Sequence, residues 1–191
     1  VPSTLPIWQA VVGSFIAIII VKCLFGGLGC NFANPAITAR VVMLIAFTGT
    51  MAAAVPPMAI AETVDVATYA TPLSVLPNGT LPEATLMDMF LGIRGGALGE
   101  TSAAALLLGF VYLLVRKVIT WHTPVVFIGA VFALAFAITG DMTTALYYTL
   151  SGGTFIGAIF MATDYVTSPS TAKGKIVFAL GCAVITTLIR F

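Results

Sequence analysis

Two groups of polar residues in this sequence have side chains that could do chemistry. The first is a pair of hydroxyls, Thr68 and Thr71, in the small-residue segment 65–73. A hydroxyl on an accessible loop can receive a covalent group, although residue type alone describes an ordinary loop equally well. The second group lies in or beside glycine-rich stretches of otherwise apolar sequence and comprises Asn31, Asn34, Thr163 and Asp164.

The second group predicts an ion path. A polar side chain in an apolar segment is costly without a partner, so such residues commonly serve a function. The neighbouring pairs Gly26–Gly27 and Gly152–Gly153 predict breaks in membrane helices, and a break exposes carbonyls that can bind ions. Close helix packing is the alternative explanation of these glycines. A helix cap or an interfacial charge is the alternative role for Asp164.

The composition places these residues in a membrane protein. Of 191 residues, 60% are hydrophobic and only 8% are charged, and the mean hydropathy is +1.11. A soluble domain is about 25% charged, so a soluble enzyme, a nucleic-acid-binding protein and a disordered chain are excluded. The apolar runs are continuous, whereas barrel strands alternate. Cys23, Cys30 and Cys182 have no metal-like spacing, so we expect an all-α integral membrane protein without a metal site.

The elements that must position the polar residues are spanning helices, each of which needs about 20 apolar residues. Six segments approach this length: 6–24, 35–55, 102–115, 124–139, 143–162 and 176–189. Asn34-Pro35, Thr123-Pro124 and Ser168-Pro169 each predict a helix start, with a capping side chain before a proline. We predict one membrane domain over 1–191, with a single large polar loop at 56–100.

The charged residues predict the orientation. If the first segment runs inward and the rest alternate, six of the eight basic residues lie inside, which is the bias of cytoplasmic loops. These six are Lys22, Arg40, Arg116, Lys117, Lys173 and Lys175. Arg190 and most of the acids, including Glu100 and Asp141, lie outside under this scheme. The loop 56–100 is therefore predicted on the outer face.

A short repeat predicts inverted symmetry. Pro-Ser-Thr occurs at residues 2–4 and again at 169–171. The apolar segments that follow have Gly and a basic residue at equal spacing, Gly13 with Lys22 and Gly181 with Arg190. These two segments run in opposite directions, as in the inverted repeats of many transporters. The unmatched segments predict that this chain is the middle of a larger protein.

The small-residue segment Thr68-Tyr69-Ala70-Thr71 resembles a Ser/Thr-x-Ala-Thr signal that receives FMN through a phosphoester to its last threonine. The resemblance makes Thr71 the attachment residue, and Thr68, Tyr69, Ala70 and Pro72 its immediate surroundings. An attached flavin passes one or two electrons, here near the outer membrane surface.

Further motifs resemble the RnfD/NqrB family, and most closely its RnfD branch. They are Phe25-Gly-Gly-Leu-Gly-Cys-Asn31, Asn34-Pro-Ala36, Gly95-Gly-Ala-Leu-Gly-Glu-Thr-Ser102 and Phe160-Met-Ala-Thr-Asp-Tyr-Val-Thr-Ser-Pro169. The resemblance implies ten helices in two inverted halves, a bundle similar to urea transporters. About three helices before Val1 and one after Phe191 would complete it, so this partial chain holds about six spanning segments.

Two functions are open at this point. The resemblance implies an FMN-carrying membrane subunit of an Rnf-type ferredoxin:NAD oxidoreductase that couples electron flow to Na⁺ or H⁺ export. Such a subunit is not catalytically complete alone and works with other Rnf membrane subunits and an external flavoprotein subunit in a prokaryotic cell (inner) membrane. A second, unbound flavin such as riboflavin is compatible with it. The alternative is a channel or transporter for a small polar solute without a redox role.

Overall fold

The computed structural model describes the whole chain except residues 3, 28, 52–71, 77–80, 83, 94–95 and 98. All regular elements of the described residues are helices. Two of them, His122–Thr139 and Ala172–Arg190, are long and apolar enough to cross a membrane. The expectation of an all-α fold is confirmed for the described residues, and these apolar helices are consistent with a membrane protein.

The N-terminal part is a pair of packed helices. Helix α1 (Ile7–Phe15) continues directly into a π-helical stretch, Ile16–Cys23. Helix α2 (Pro35–Ala46) packs back against both, and a single turn, α3 (Thr48–Met51), follows it. Between the helices, Gly26 and Gly27 have φ of +112° and +86°. The first glycine-rich stretch is therefore a turn between helices, and glycine alone adopts these angles without strain.

Two short helices follow in the segment predicted as a loop. Helix α4 spans Pro72–Val75 and helix α5 spans Leu86–Leu91. Thr85 and Asp88 form a reciprocal capping box that starts α5. Leu76 and Met89 are buried against Ala145 and Tyr148. The described parts of this loop thus pack on the helical bundle.

The C-terminal part forms the main body of the bundle. Its helices are α6 (Ala103–Val115), α7 (His122–Thr139), α8 (Met142–Leu150), α9 (Thr154–Ile156), the π-helical stretch Gly157–Met161, and α10 (Ala172–Arg190). Helix α7 packs along α10 and also against α8. Ala158, Ala179 and Ala183 are fully buried where α7 meets α10 and the stretch Gly157–Met161. Small side chains let these helices approach closely.

Most of the six predicted segments correspond to helices, but two are interrupted. The second segment begins at Pro35 as predicted, yet its helix ends at Ala46, because Phe47 leaves helical geometry. The fifth is divided at Ser151–Gly153 into α8 and α9. The second predicted glycine break is therefore confirmed.

The predicted helix starts are confirmed at one site and wrong at two. Asn34 caps α2, and its Oδ1 accepts hydrogen bonds from the N–H groups of Ala36 and Ile37. Helix α7 instead begins at His122, so Thr123 and Pro124 lie in its first turn. Helix α10 is capped by Thr171 rather than Ser168. Proline is tolerated anywhere in the first turn, because N–H groups there have no partner within the helix.

Replacing Gly92 by alanine is expected to destabilise the protein. Gly92 ends α5 with φ +98°, and an added methyl carbon would lie 2.9 Å from the Cα atom of Ser102. The left-handed conformation alone costs a non-glycine residue about 1–2 kcal/mol, and the backbone contact adds to that cost. Thermal unfolding in detergent should show a midpoint several degrees lower. Gly129→Ala is the control, because its added methyl meets no described atom within 4 Å. Its unfolding midpoint should be no lower than that of the unmodified protein.

Candidate functional site

The break at Ser151–Gly153 in the fifth predicted segment forms the centre of the candidate site. Asp141 caps α8, and Thr144 donates to its carboxylate from both its hydroxyl and its N–H. These bonds lower the pKa of the Asp141 carboxyl, so the cap is ionised at neutral pH. The helix then stops at Ser151, and Gly152 has φ +60°. Since the last carbonyls of a helix have no partner within it, this break presents backbone oxygens inside the bundle.

Arg190 occupies that end of α8. Its Nη1 donates to the carbonyl of Tyr148 at 2.7 Å, and its Nη2 donates to the carbonyl of Ser151 at 3.3 Å. Phe191 stacks on the ring of Tyr148, with 4.2 Å between ring centroids. A cation at a helix C-terminus also interacts favourably with the helix dipole. The end of α10 is thus joined to the broken end of α8 by a positively charged group.

Glu100 lies on the other side of the same break. A methyl carbon added to Gly153 would lie 3.5 Å from Glu100 Oε2. Arg40 Nη2, on α2, lies 3.7 Å from the same oxygen, and the charges of Glu100 and Arg190 also interact. The Glu100 side chain is only 14% exposed, against 43% for Arg40. Two arginines and one glutamate from distant parts of the sequence therefore meet at the break, and we call Arg40, Glu100 and Arg190 the charged cluster.

The cluster corrects one part of the predicted orientation. Charge counting placed Arg40 inside and Glu100 outside, but these groups lie within ion-pair distance. A hydrocarbon core is about 30 Å thick, so the two residues cannot face opposite aqueous phases. Arg40 lies in the middle of α2, not in a loop. The predicted placement of Arg40 and Glu100 on opposite faces is therefore wrong.

The residues predicted to carry FMN fall mostly outside the described part of the chain. This holds for Thr68, Tyr69, Ala70 and Thr71, whereas Pro72 is the first residue of α4. One residue further, Leu73 lies beside the break. A methyl carbon added to Gly152 would lie 3.4 Å from Leu73 Cδ2 and 3.2 Å from Arg190 Nη2. The segment that follows Thr71 is thus packed against both the break and Arg190.

The four predicted ion-path residues all make local hydrogen bonds. Asn31 is 9% exposed and donates to the carbonyl of Ala33, while Asn34 caps α2. Thr163 donates to the carbonyl of Ile159. Asp164 accepts a hydrogen bond from the Thr167 hydroxyl at 2.9 Å. Each group has a structural role, and a shared path for all four remains a prediction.

The charged cluster is not apparent from the sequence. Its members are separated widely in sequence, and charge counting treats each of them as a loop charge. Two signals point to it: Glu100 follows the glycine-rich run 95–99, and Arg190 ends a long apolar helix. Charged side chains at such positions commonly mark functional sites within membranes.

Apolar helices of spanning length, together with a broken segment and charged side chains at the break, define the class: a helical membrane protein with a polar site inside its bundle. The particular family follows from comparison with known proteins. The family model "NQR2, RnfD, RnfE family" matches residues 1–191, and the chain belongs to this family.

Two of the relatives are D subunits of ion-translocating ferredoxin complexes. The chain is 42% identical to the D subunit of the Na⁺-translocating ferredoxin:NAD⁺ oxidoreductase complex of Acetobacterium woodii, over 99% of this chain and 58% of that protein. It is also 42% identical to the D subunit of the proton-translocating ferredoxin:NAD⁺ oxidoreductase complex of Clostridium ljungdahlii, over 99% of this chain and 60% of that protein.

A more distant relative belongs to the quinone-reductase branch. It is the B subunit of the Na⁺-translocating NADH-quinone reductase of Chromohalobacter salexigens, 34% identical over 99% of this chain and 48% of that protein. The chain thus spans about three fifths of the length of the two ferredoxin-complex relatives. The greater sequence identity to those two proteins agrees with the prediction that the chain is most similar to the RnfD branch.

Proposed function

We propose that this chain is the membrane core of an FMN-carrying subunit in an Rnf-type ferredoxin:NAD oxidoreductase that couples electron flow to export of Na⁺ or H⁺. The main support for this proposal is the position of α4. Leu73 and Leu76 fix the segment after Thr71 against α8, beside the break and Arg190. In this proposal, a group attached to Thr71 would be tethered by the segment that Leu73 and Leu76 anchor.

FMN on Thr71 supplies one- or two-electron transfer. The protein contributes the tether through the Thr71 hydroxyl and the anchor through Leu73 and Leu76. In this proposal the loop 56–100 lies on the outer face of a prokaryotic cell (inner) membrane. The proposed partners at that face are neighbouring Rnf membrane subunits and an external flavoprotein subunit, to which a bound flavin would supply electron transfer.

The proposed architecture of the whole subunit is an inverted repeat similar to urea transporters. Within this chain, the repeat relates the segment Ile7–Cys23 to α10. Both lead toward the glycine-rich stretches: the first ends just before Gly26 and Gly27, and α10 ends at Arg190 beside Gly152. This placement supports two halves that meet around a polar path.

A mass spectrum of the loop peptide tests the proposed function. The purified full-length subunit, produced in cells that contain a flavin transferase, should yield a peptide with Thr71 carrying the mass of FMN in phosphoester linkage. A fully unmodified peptide would contradict the flavoprotein and favour the channel or transporter alternative. That alternative has no use for the Thr68–Thr71 signal.

The ion path is proposed to include Asn31, Asn34, Thr163 and Asp164. We expect Asp164→Asn to slow Na⁺ or H⁺ transport in reconstituted vesicles about tenfold, since a charged acceptor binds about twice as strongly as a neutral one. The asparagine oxygen can still accept from Thr167, so the local fold should persist. The control Thr167→Val keeps the carboxylate and should retain transport. Equal transport by Asp164→Asn and the unmodified protein would remove Asp164 from the path.

A further inference from the structure

A polar cavity lies at the end of the bundle opposite the charged cluster. It has a volume of about 250 Å³ and is enclosed by the start of α7, the start of α10 and the chain between the stretch Gly157–Met161 and α10. Tyr165 closes one side, because its hydroxyl donates to the carbonyl of Val118. Lys175 closes another, with Nζ 3.0 Å from Thr120 Oγ1. These contacts confirm that residues 118–120, 165 and 175 share one end of the molecule.

The groups around this cavity suit an anion. Lys175 provides a positive charge, and hydroxyls are provided by Thr120, Thr123, Ser168 and Ser170, whereas the Thr163 hydroxyl donates to the carbonyl of Ile159. Among the described residues that line the cavity, none carries a carboxylate. The nearby acid, Asp164, accepts from Thr167 instead. A lysine with several hydroxyl donors matches the acceptor oxygens of a phosphate, for which lysine acts as a point charge.

Two helices also direct their positive ends to this cavity. Helix α7 begins at His122 without a side-chain cap, and Thr123 of its first turn lines the cavity. Helix α10 begins at Ala172, two residues after the lining residue Ser170, and Thr171 between them caps one of its N–H groups. Helix N-termini attract anions through their free N–H groups and their dipole. Two such ends add to the charge of Lys175.

The surroundings favour a lipid over a soluble anion. Exposed apolar side chains flank the lining in sequence, including Trp121 at 54% and Val177 at 70% exposure. The exposed basic residues Arg116, Lys117 and Lys173 also lie close to the lining residues in sequence. Basic pockets between membrane helices bind anionic headgroups. The cavity is also smaller than the roughly 300–1,000 Å³ of sites for larger ligands.

We propose that this cavity binds the phosphate headgroup of an anionic phospholipid, with Lys175 and Thr120 as the principal contacts. The acyl chains then lie along the exposed apolar surface that includes Val177. The lipid bridges α7 and α10, the most extensively packed pair among the described helices.

Native mass spectrometry of the purified full-length subunit tests this site. Added phosphatidylglycerol should be retained at higher collision energy than phosphatidylethanolamine. Lys175→Gln should weaken the preference about tenfold, the effect of losing one charged hydrogen bond. Thr120→Val, which keeps the charge, should weaken it less. The matched control Lys22→Gln removes a basic residue of the N-terminal helix pair and should leave lipid retention unchanged.

Two results would overturn the proposal. One is equal retention of both lipids by the unmodified protein. The other is a preference that survives in both Lys175→Gln and Thr120→Val. Millimolar inorganic phosphate provides a further arm: displacement of the lipid by phosphate would identify a soluble anion as the ligand, whereas retention of the lipid supports the headgroup.

Discussion

Thr71→Val is expected to abolish covalent flavin while leaving the membrane fold intact. Valine has nearly the shape of threonine but lacks the hydroxyl that forms the phosphoester. The packed anchor, Leu73 and Leu76, follows the substituted residue and is unchanged. The denatured subunit should therefore lose its flavin fluorescence in a gel, while its thermal unfolding midpoint in detergent stays within about 2 °C of the unmodified value.

Thr68→Val is the matched control for this experiment. It removes the other hydroxyl of the signal and leaves the proposed acceptor in place, so at least part of the fluorescence should remain. A fluorescent band that persists in Thr71→Val would move the attachment to another residue. A dark band from the unmodified protein, in cells that contain the transferase, would contradict the flavoprotein itself.

The helices of this protein are readily predicted from sequence because apolar runs in a membrane have few alternatives. With no water to satisfy backbone groups, a long apolar run must form a helix or a closed barrel. The segments that became α6, α7 and α10 follow from that rule. The turn at Gly26–Gly27 and the break at Gly152 were also visible, since positive φ favours glycine.

The charged cluster could not be predicted in the same way. Charge counting assumes that each basic or acidic residue lies in an aqueous loop. That assumption failed for Arg40 because this residue lies within α2 rather than in a loop. Which charges meet depends on how α2, α8 and α10 pack, and this three-dimensional information is absent from local patterns. Asn34 shows the converse: its cap was predictable because it depends on neighbouring residues alone.

The cluster also changes how the break is understood. An open break would expose the carbonyls of Tyr148 and Ser151 to passing cations. Here a tethered guanidinium already occupies them, with Glu100 nearby as its counter-charge. A buried charge that satisfies backbone acceptors rigidifies the elements it joins. Arg190 therefore holds α8 and α10 in one arrangement next to the proposed flavin segment.

Arg190→Gln is expected to destabilise the subunit by about 3 kcal/mol, because it removes the cation that donates to the carbonyls of Tyr148 and Ser151 and that interacts with the charge of Glu100. For a chain of this size the thermal unfolding midpoint should fall by roughly 10 °C. Ion transport in reconstituted vesicles should fall with it, while FMN remains attached. If FMN stays attached to the variant, the loss of stability and transport is not caused by loss of the flavin.

Arg40→Gln is the matched control, since it removes the other arginine of the cluster. Arg40 is more exposed and lies 3.7 Å from Glu100, so its loss should cost no more than about 1 kcal/mol. The double variant Glu100→Gln/Arg190→Gln should lose less stability than the sum of the losses in the two single variants, because it removes both charges together. Equal stability losses for Arg40→Gln and Arg190→Gln would contradict the special role of Arg190. Additive losses in the double variant would show that Glu100 and Arg190 are not coupled.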